Sequence, residues 1–434
     1  MPVFVLRLSE LALLFFLSTK FNCAICKTIE PLPRSVVLHP ETNIIDMIRK
    51  WIAGCFLLAN TVQAQQPEKI LHRTRVYKEP GFYNEQAKLW RKEVSKNPKN
   101  AAAWENYYLA IRYSDNIKEG EWATDRTKVM AGIVTDMSKQ VPNAIEYIHC
   151  KLLNTGFEKG DAETFRLIQR GYAMNPKDEE ILEAYINYAE LNGQTEKFKQ
   201  LYQGLNDTHV NDYTIMEFNY NMLMSVDKNG ILITWGDNDT YPARILQESK
   251  LLRKDITLIN ASFGAYFPEY LNRVLKQKGI VLSDVFIQKN KGISTMNQFI
   301  KSLTLEIAKK YSNIPIFFAI TGDTENLFAD SLYCTGLANK FSTVRIDNIS
   351  KLKNNIENRF HLDYLRGGLN ETPSISHPVG ETFASNYVIP FAMLYKHYKS
   401  MGESNERSEF YKGFVMEQAV KAKNEKEMKG YLEN

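Results

Sequence analysis

Gly230–Leu252 reads GILITWGDNDTYPARILQESKLL, and this stretch decides the fold. Ile231 to Trp235 are apolar or β-branched without interruption, as in a strand covered on both faces. Gly236 lets the backbone turn off that strand, four polar residues follow, and a helical pattern runs over Ala243–Arg253. The same alternation continues. Strands are predicted at DITLINAS (Asp255–Ser262), IPIFFAIT (Ile314–Thr321) and STVRID (Ser342–Asp347), with further helices over Phe267–Lys278, Thr295–Lys310 and Asn326–Asn339. Strands separated by amphipathic helices predict a parallel sheet with right-handed crossovers, so residues 227–353 read as a three-layer, Rossmann-like α/β domain. Residues 354–434 read as a loop, RGGLNETPSISHPVGE, and a helical tail over Tyr387–Lys399 and Ser408–Leu432.

Upstream, residues 65–226 have a helical period. NPKNAAAWENYYLAIRY from Asn97, VPNAIEYIHCKLL from Val141 and NPKDEEILEAYINYAEL from Asn175 share a proline turn followed by apolar residues three and four apart. Pro142 and Pro176 are 34 residues apart, the tetratricopeptide period, whereas Pro98 and Pro142 are 44 apart and imply an insertion near DNIKEGEW. A tetratricopeptide-like helical solenoid is the expectation, since one hairpin cannot bury its apolar face alone. Trp90, Trp104, Tyr107, Tyr108, Tyr185 and Tyr188 suit helix–helix packing better than a ligand groove, and His149 and Cys150 read as structural.

The N-terminus carries two apolar runs. MIRKWIAGCFLLANTVQAQQ, from Met47, has a basic start at Arg49 and Lys50, an apolar centre and a small-residue site at Val62, Gln63 and Ala64. It reads as a secretory signal over 47–64 with cleavage before Gln65, which makes 1–46 an upstream extension and the mature chain exported, periplasmic or extracellular. Neither run reaches the length of a spanning helix. Residues 1–64 hold six Lys and Arg against four Asp and Glu, leaving +2 of the whole chain's +4 for the rest, and this near-neutral balance argues against a nucleic-acid partner. Of five cysteines only Cys150 and Cys334 lie beyond the signal, in different domains, so no disulfide framework is expected.

The loop after the first strand holds the candidate site: Gly236, Asp237, Asn238, Asp239, Thr240 and Tyr241 leave the C-terminal end of a strand, the edge at which α/β sheets bind ligands. Oxygen donors at Asp237 and Asp239 suit a hard divalent cation such as magnesium, calcium or manganese. A second loop, TGDTEN, brings Asp323 and Glu325 to the same edge if the two strands are neighbours. The competing reading is helix capping by Asp239 or Thr240, with Pro242 in the first turn and Asp237 complementing the dipole; capping alone does not need both carboxylates. No glycine-rich phosphate loop and no GxSxG elbow occurs, and His361 and His377 lack metal-ligand spacing.

The block ILITWGDNDTYPARILQESKLLRKDITLINAS, with the later block IPIFFAITGDTENLFADSLYCTGLANKFSTV, resembles the soluble C-terminal α/β module of bacterial membrane proteins related to protein O-mannosyltransferases, a domain of unknown function. The likeness spans about Gly230 to Val344. It implies a shared exported module and makes GDNDTYP the module's own candidate site. In those relatives the sugar-transfer chemistry belongs to a multi-pass membrane portion, which this chain lacks, so no catalytic residue carries over. The sequence therefore predicts a non-catalytic binding or scaffold protein, with a protein partner on the helical repeats and a glycan or other polar ligand at the acidic loop. The rival expectations are a metal-dependent enzyme on sugars or phosphate esters, with Asp237 and Asp239 as ligands, and a structural remnant without a ligand.

Overall fold

The proline turns found in the sequence each open a helix. In the computed structural model, which describes residues 66–114, 122–156, 162–208, 213–290, 295–322, 324–328, 330–365 and 378–433, Asn97, Val141 and Asn175 each accept an amide hydrogen bond from the residue three positions on. The helices that follow are α2, α4 and α6. The order is α1 (Pro80–Lys96), α2 (Ala101–Tyr113), α3 (Trp122–Gln140), α4 (Ile145–Thr155), α5 (Ala162–Met174), α6 (Glu179–Leu191) and α7 (Thr195–Asp207). Each packs on the next, and α2, α4 and α6 also pack on one another in sequence, so they form an inner row. Asn100 and Asp178 cap α2 and α6 through side-chain oxygens, as short polar residues at such turns do. Trp104, Tyr108 and Tyr185 are buried in this array, and the Trp104 indole donates to Pro98 O. The insertion expected near DNIKEGEW falls largely outside the described residues, as do the calls on 1–46 and 47–64.

Helix α8 (Tyr213–Met224) leads into the sheet: β1 (Ile231–Thr234), α9 (Asp237–Ser249), β2 (Thr257–Asn260), α10 (Ala261–Tyr266), α11 (Pro268–Lys276), α12 (Asp284–Asn290), α13 (Met296–Lys310), β3 (Ile316–Ala319), α14 (Glu325–Phe328), β4 (Leu332–Cys334) and β5 (Ala338–Phe341). The strand order is β2-β1-β3-β5-β4. β1 pairs in parallel with β2 and β3, while β5 runs antiparallel to both β3 and β4. Side chains alternate between faces as the strand period requires. Leu232, Leu258 and Phe317 join the core beneath α8 and the C-terminal helices, whereas Ile231, Ile233, Ile259 and Phe318 join the one beneath α11 and α13.

The sheet is therefore mixed rather than wholly parallel, and two predicted elements are corrected. Residues 342–347 are not a strand, and the helix expected over Asn326–Asn339 shrinks to α14 followed by a hairpin. The reversal rests on Gly336, whose φ of 142° lies where a side chain is strained; a Cβ there would also meet Ser225 Oγ at 2.5 Å. Ser225 pins the turn, accepting from the Thr335 hydroxyl and the Leu337 amide.

The chain closes with α15 (Asn348–Asn358), α16 (Pro378–Ser385), α17 (Val388–Ser400), α18 (Glu406–Ala422) and α19 (Glu425–Glu433). The last predicted helix is split in two at Lys423, where φ is 57°. Asn221 of α8, fully buried, fastens this tail: its amide donates to His361 O and Tyr387 Oη at 2.7 Å each, and its oxygen accepts the His361 amide at 2.8 Å. Asn221→Leu removes the bonds to the His361 backbone and leaves Tyr387 Oη with Tyr364 Oη, at 2.8 Å, so stability to urea is expected to fall by about 1–3 kcal/mol. An unchanged unfolding midpoint would remove Asn221 from the tail's anchorage.

Candidate functional site

The acidic loop does more than begin a helix. Helix α9 starts at Asp237, five residues before Pro242, so the proline sits inside the helix rather than in its first turn. A proline there cannot donate to the carbonyl four residues back, that of Asn238. The buried amide of Asn219, from α8, takes that carbonyl instead at 2.8 Å.

Asp239 is fully enclosed. Its carboxylate accepts the Trp235 amide at 3.0 Å, the Gly236 amide at 2.8 Å and the Thr321 hydroxyl from the loop after β3. Burial raises its pKa against the pull of these hydrogen bonds. The Trp235 indole donates to Ala319 O at 3.2 Å and lies against Gly322, where a Cβ would stand 2.0 Å from the indole nitrogen. The two loops thus meet beyond β1 and β3, and the edge where an open sheet usually takes its ligand is filled by the protein's own side chains. Asp323 lies outside the described residues, and of Glu325 only the backbone at the start of α14 is described.

The remaining loop residues tie the lock to its surroundings, and buried Thr240 also donates to Asp239 Oδ1 at 3.3 Å. The Thr240 hydroxyl lies 2.7 Å from that of Thr234 and accepts from Asn260, tying β1 to the end of β2. The Asn238 amide donates to Thr74 O, in the strap before α1, and the Tyr241 hydroxyl donates to Asn187 on α6, both at 2.8 Å. Tyr241 and Ile245 pack into the core of the α4–α7 helices, so α9 joins the helical array to the sheet. Gly236 is exposed at the helix start.

Asp237 lines a cavity of about 400 Å³ between the array and the α/β module. The strap contributes His72, Arg73, Thr74 and Arg75; α2 contributes Arg112 and Tyr113; α6 contributes Glu180, Glu183 and Asn187. The Asp237 carboxylate, accessible at the rim, makes no hydrogen bond or ion pair among the described residues. Burial by the surrounding walls, with Asp239 and Glu180 next, raises its pKa.

Inside, burial pulls the His72 imidazole down to about 4, so its 3.2 Å approach to Glu180 is that of a neutral ring rather than an ion pair. Tyr113 is 3.1 Å from His72 Nδ1, which fits a tautomer with the proton on Nε2. Burial, reinforced by Glu180, pushes Glu183 up to about 8 although Arg75 lies 3.3 Å away. Behind this wall His149 bridges the inner row, 2.7 Å from Glu105 on α2 and 2.9 Å from Asp178 at the start of α6. Burial opposes its charge, but the hydrogen bonds to Asp178 and Glu105 prevail and hold it at about 10.

Chemically the cavity offers donors and acceptors side by side, with aromatic surface from Tyr113 and Tyr241. Asp237 and Asp239 serve different surroundings, and among the described residues no group of three or more His, Cys, Asp and Glu is arranged to hold a metal ion. His72, Arg75, Arg112, Tyr113, Glu180, Glu183 and Asn187 carry no local pattern that marks them in the sequence. The one signal was an acidic loop with one more carboxylate than a cap needs.

A family model described as TMEM260-associated domain 2 matches residues 215–279, which run from α8 through the acidic loop to the turn after α11. This is loosely consistent with the resemblance to the O-mannosyltransferase-related module. No curated protein and no solved structure matches the chain. No helix among the described residues is long and apolar enough to cross a membrane.

Glu183 sets a pH dependence. Its folded pKa of about 8 exceeds the ordinary 4.5, so between these values the folded state binds more protons, and its contribution to stability is lost as pH rises from about 4.5 to about 8. Glu183→Gln is expected to flatten melting temperature against pH over that window and to exceed the parent protein above it. Parallel curves for the two proteins would contradict the assignment.

Proposed function

We propose that this protein is an exported, non-catalytic binding protein that holds a polar, hydroxyl-rich ligand, a glycan, in the cavity between its helical array and its α/β module. The observation that carries this reading is the Asp237 carboxylate, without a partner among the described residues, at the rim of a cavity whose walls supply Arg75, Arg112, His72, Glu180 and Asn187. A volume of about 400 Å³ is in the range of small-molecule sites. Neighbouring donors, acceptors and tyrosine faces suit a ring bearing several hydroxyl groups better than a fully charged ligand. The resemblance to an O-mannosyltransferase-related module favours the same ligand class.

In this reading the array is a short tetratricopeptide-like solenoid whose outer surface contacts a protein partner, and the sheet is a Rossmann-like module with its usual ligand edge closed. The ligand is held at the junction instead, so both parts of the chain are needed to bind it. The secretory signal over 47–64 would deliver the chain outside the cytoplasm, and mass spectrometry of the purified protein is expected to find a mature N-terminus at Gln65. An intact Met1 on a cytoplasmic pool would overturn that part.

The binding claim is tested on an immobilised glycan panel that includes mannose-terminated oligosaccharides. A charge-assisted hydrogen bond contributes about 1.5–3 kcal/mol, so Asp237→Asn is expected to weaken binding by about tenfold or more. Its melting temperature should hold, because Asp237 supports no other group. Retention of no glycan, or equal retention by both proteins, would overturn the reading.

A further inference from the structure

The acidic loops leave one end of the sheet; the opposite end, where β1, β2 and β3 begin and β5 finishes, is basic. Five stretches meet there, 225–230, 246–256, 274–280, 306–315 and 340–351, which are the turns after α8, α9, α11, α13 and β5 with their adjoining residues. Together they hold eleven Lys and Arg against five Asp and Glu. The whole chain has 54 against 50, which leaves 43 against 45 elsewhere. The positive balance of the molecule therefore resides at this end.

Each of the five acids is already engaged. Asp227 takes Lys340 at 2.6 Å and Lys351 at 2.8 Å, Asp255 takes Arg253 at 3.0 Å, Glu248 takes Lys254 at 3.0 Å, Glu306 takes Lys310, and Asp347 caps α15. Lys278 is spent on the carbonyls of Asn229 and Asp255. That leaves Lys228, Lys250, Lys276, Lys309 and Arg345, one from each stretch, all exposed and with no side-chain hydrogen bond or ion pair among the described residues. Helix dipoles favour cations at the ends of α9, α11 and α13, but each end supplies only about half a negative charge, so the face stays positive. Two large apolar side chains stand among these charges: Leu251 is 71% exposed, and Val344, beside Arg345, 68%. Leu251 follows the last turn of α9 with a φ of 55°, and the Leu252 amide closes that turn on Leu246 O at 3.0 Å. Glycine is the usual residue at such a place, because a side chain is strained there. The backbone bears this strain to hold a leucine in water.

We propose that this end of the sheet is a docking surface for an anionic lipid membrane. The exposed Lys and Arg side chains meet headgroup phosphates, while Leu251 and Val344 enter the boundary between headgroups and acyl chains. Free cations drawn from five separate turns make a broad face rather than a row, which matches the diffuse charge of a bilayer. An acidic chain lying along one row would leave the other cations unmatched, and a nucleic-acid backbone offers the two apolar side chains nothing. The surface lies at the far end of the sheet from Asp237 and does not rest on the ligand proposed there.

The test is co-sedimentation of the full chain with vesicles of phosphatidylcholine, alone or mixed equally with phosphatidylglycerol, at low and high salt. Any contribution of residues 1–64 is common to every protein compared. The parent is expected to favour the anionic vesicles over the neutral ones and to lose that preference in high salt, which screens exposed charges. Lys250→Glu combined with Arg345→Glu is expected to weaken binding to anionic vesicles by about tenfold or more. Lys177→Glu combined with Lys426→Glu, the same change in net charge at exposed positions elsewhere, should weaken it far less. Leu251→Gly relieves the strained turn, so it should melt no lower than the parent yet bind severalfold less, and that loss cannot be ascribed to unfolding. Equal retention of the parent on the two kinds of vesicle, equal losses in the two charge variants, or undiminished binding by Leu251→Gly would each overturn the assignment. Capture of the parent by polyglutamate without retention on anionic vesicles would overturn it in favour of an acidic polypeptide.

Discussion

One buried carboxylate holds the junction of this molecule together. Asp239 gathers two amides of its own loop and a hydroxyl of the next parallel loop, and in doing so sets where α9 begins. Every other role of the acidic loop follows from that start. Once α9 is fixed, Asn238 reaches the strap, Tyr241 reaches α6, and Asp237 is left at the cavity rim. The enclosed acid carries an unfavourable desolvation cost, which the hydrogen bonds from Thr321, Trp235, Gly236 and Thr240 reduce without cancelling, so its pKa stays raised.

The helix so placed has two apolar sides. Ala243 and Leu246 pack on the sheet, while Tyr241 and Ile245 pack into the array. A helix buried on both sides cannot shift toward one neighbour without opening a gap at the other, and close-packed interiors resist such gaps. Pro242 inside this helix is tolerated because Asn219 replaces the hydrogen bond that it removes. The helical array and the sheet are thereby held to one register, and the polar cavity between them keeps its walls.

Much of this was legible in the sequence. Uninterrupted apolar runs located β1, β2 and β3, and the proline turns located the starts of α2, α4 and α6, because both signals depend on nearest neighbours alone. The β4–β5 hairpin was not legible: LYCTGLANKF is short and apolar enough to read as helix, and its course turns on Gly336 at a positive φ beside Ser225, a contact across more than a hundred residues. The start of α9 was misplaced for a related reason, since Pro242 normally marks a first turn and only Asn219 makes the interior position acceptable. The loop itself stands out in the sequence as an acidic stretch after a strand, but the cavity's other residues come from the strap, α2 and α6. They meet only through tertiary packing, which no local spacing records.

The imidazolium of His149 binds three helices into one unit of inheritance. Glu105, His149 and Asp178 sit on different helices, and loss of any one leaves a buried charge facing the wrong neighbours. Drift at these positions is therefore coupled: a lineage that abandons the histidine must also neutralise both acids. An apolar substitution elsewhere in the inner row carries no such tie, since it leaves the contacts of Glu105, His149 and Asp178 as they are.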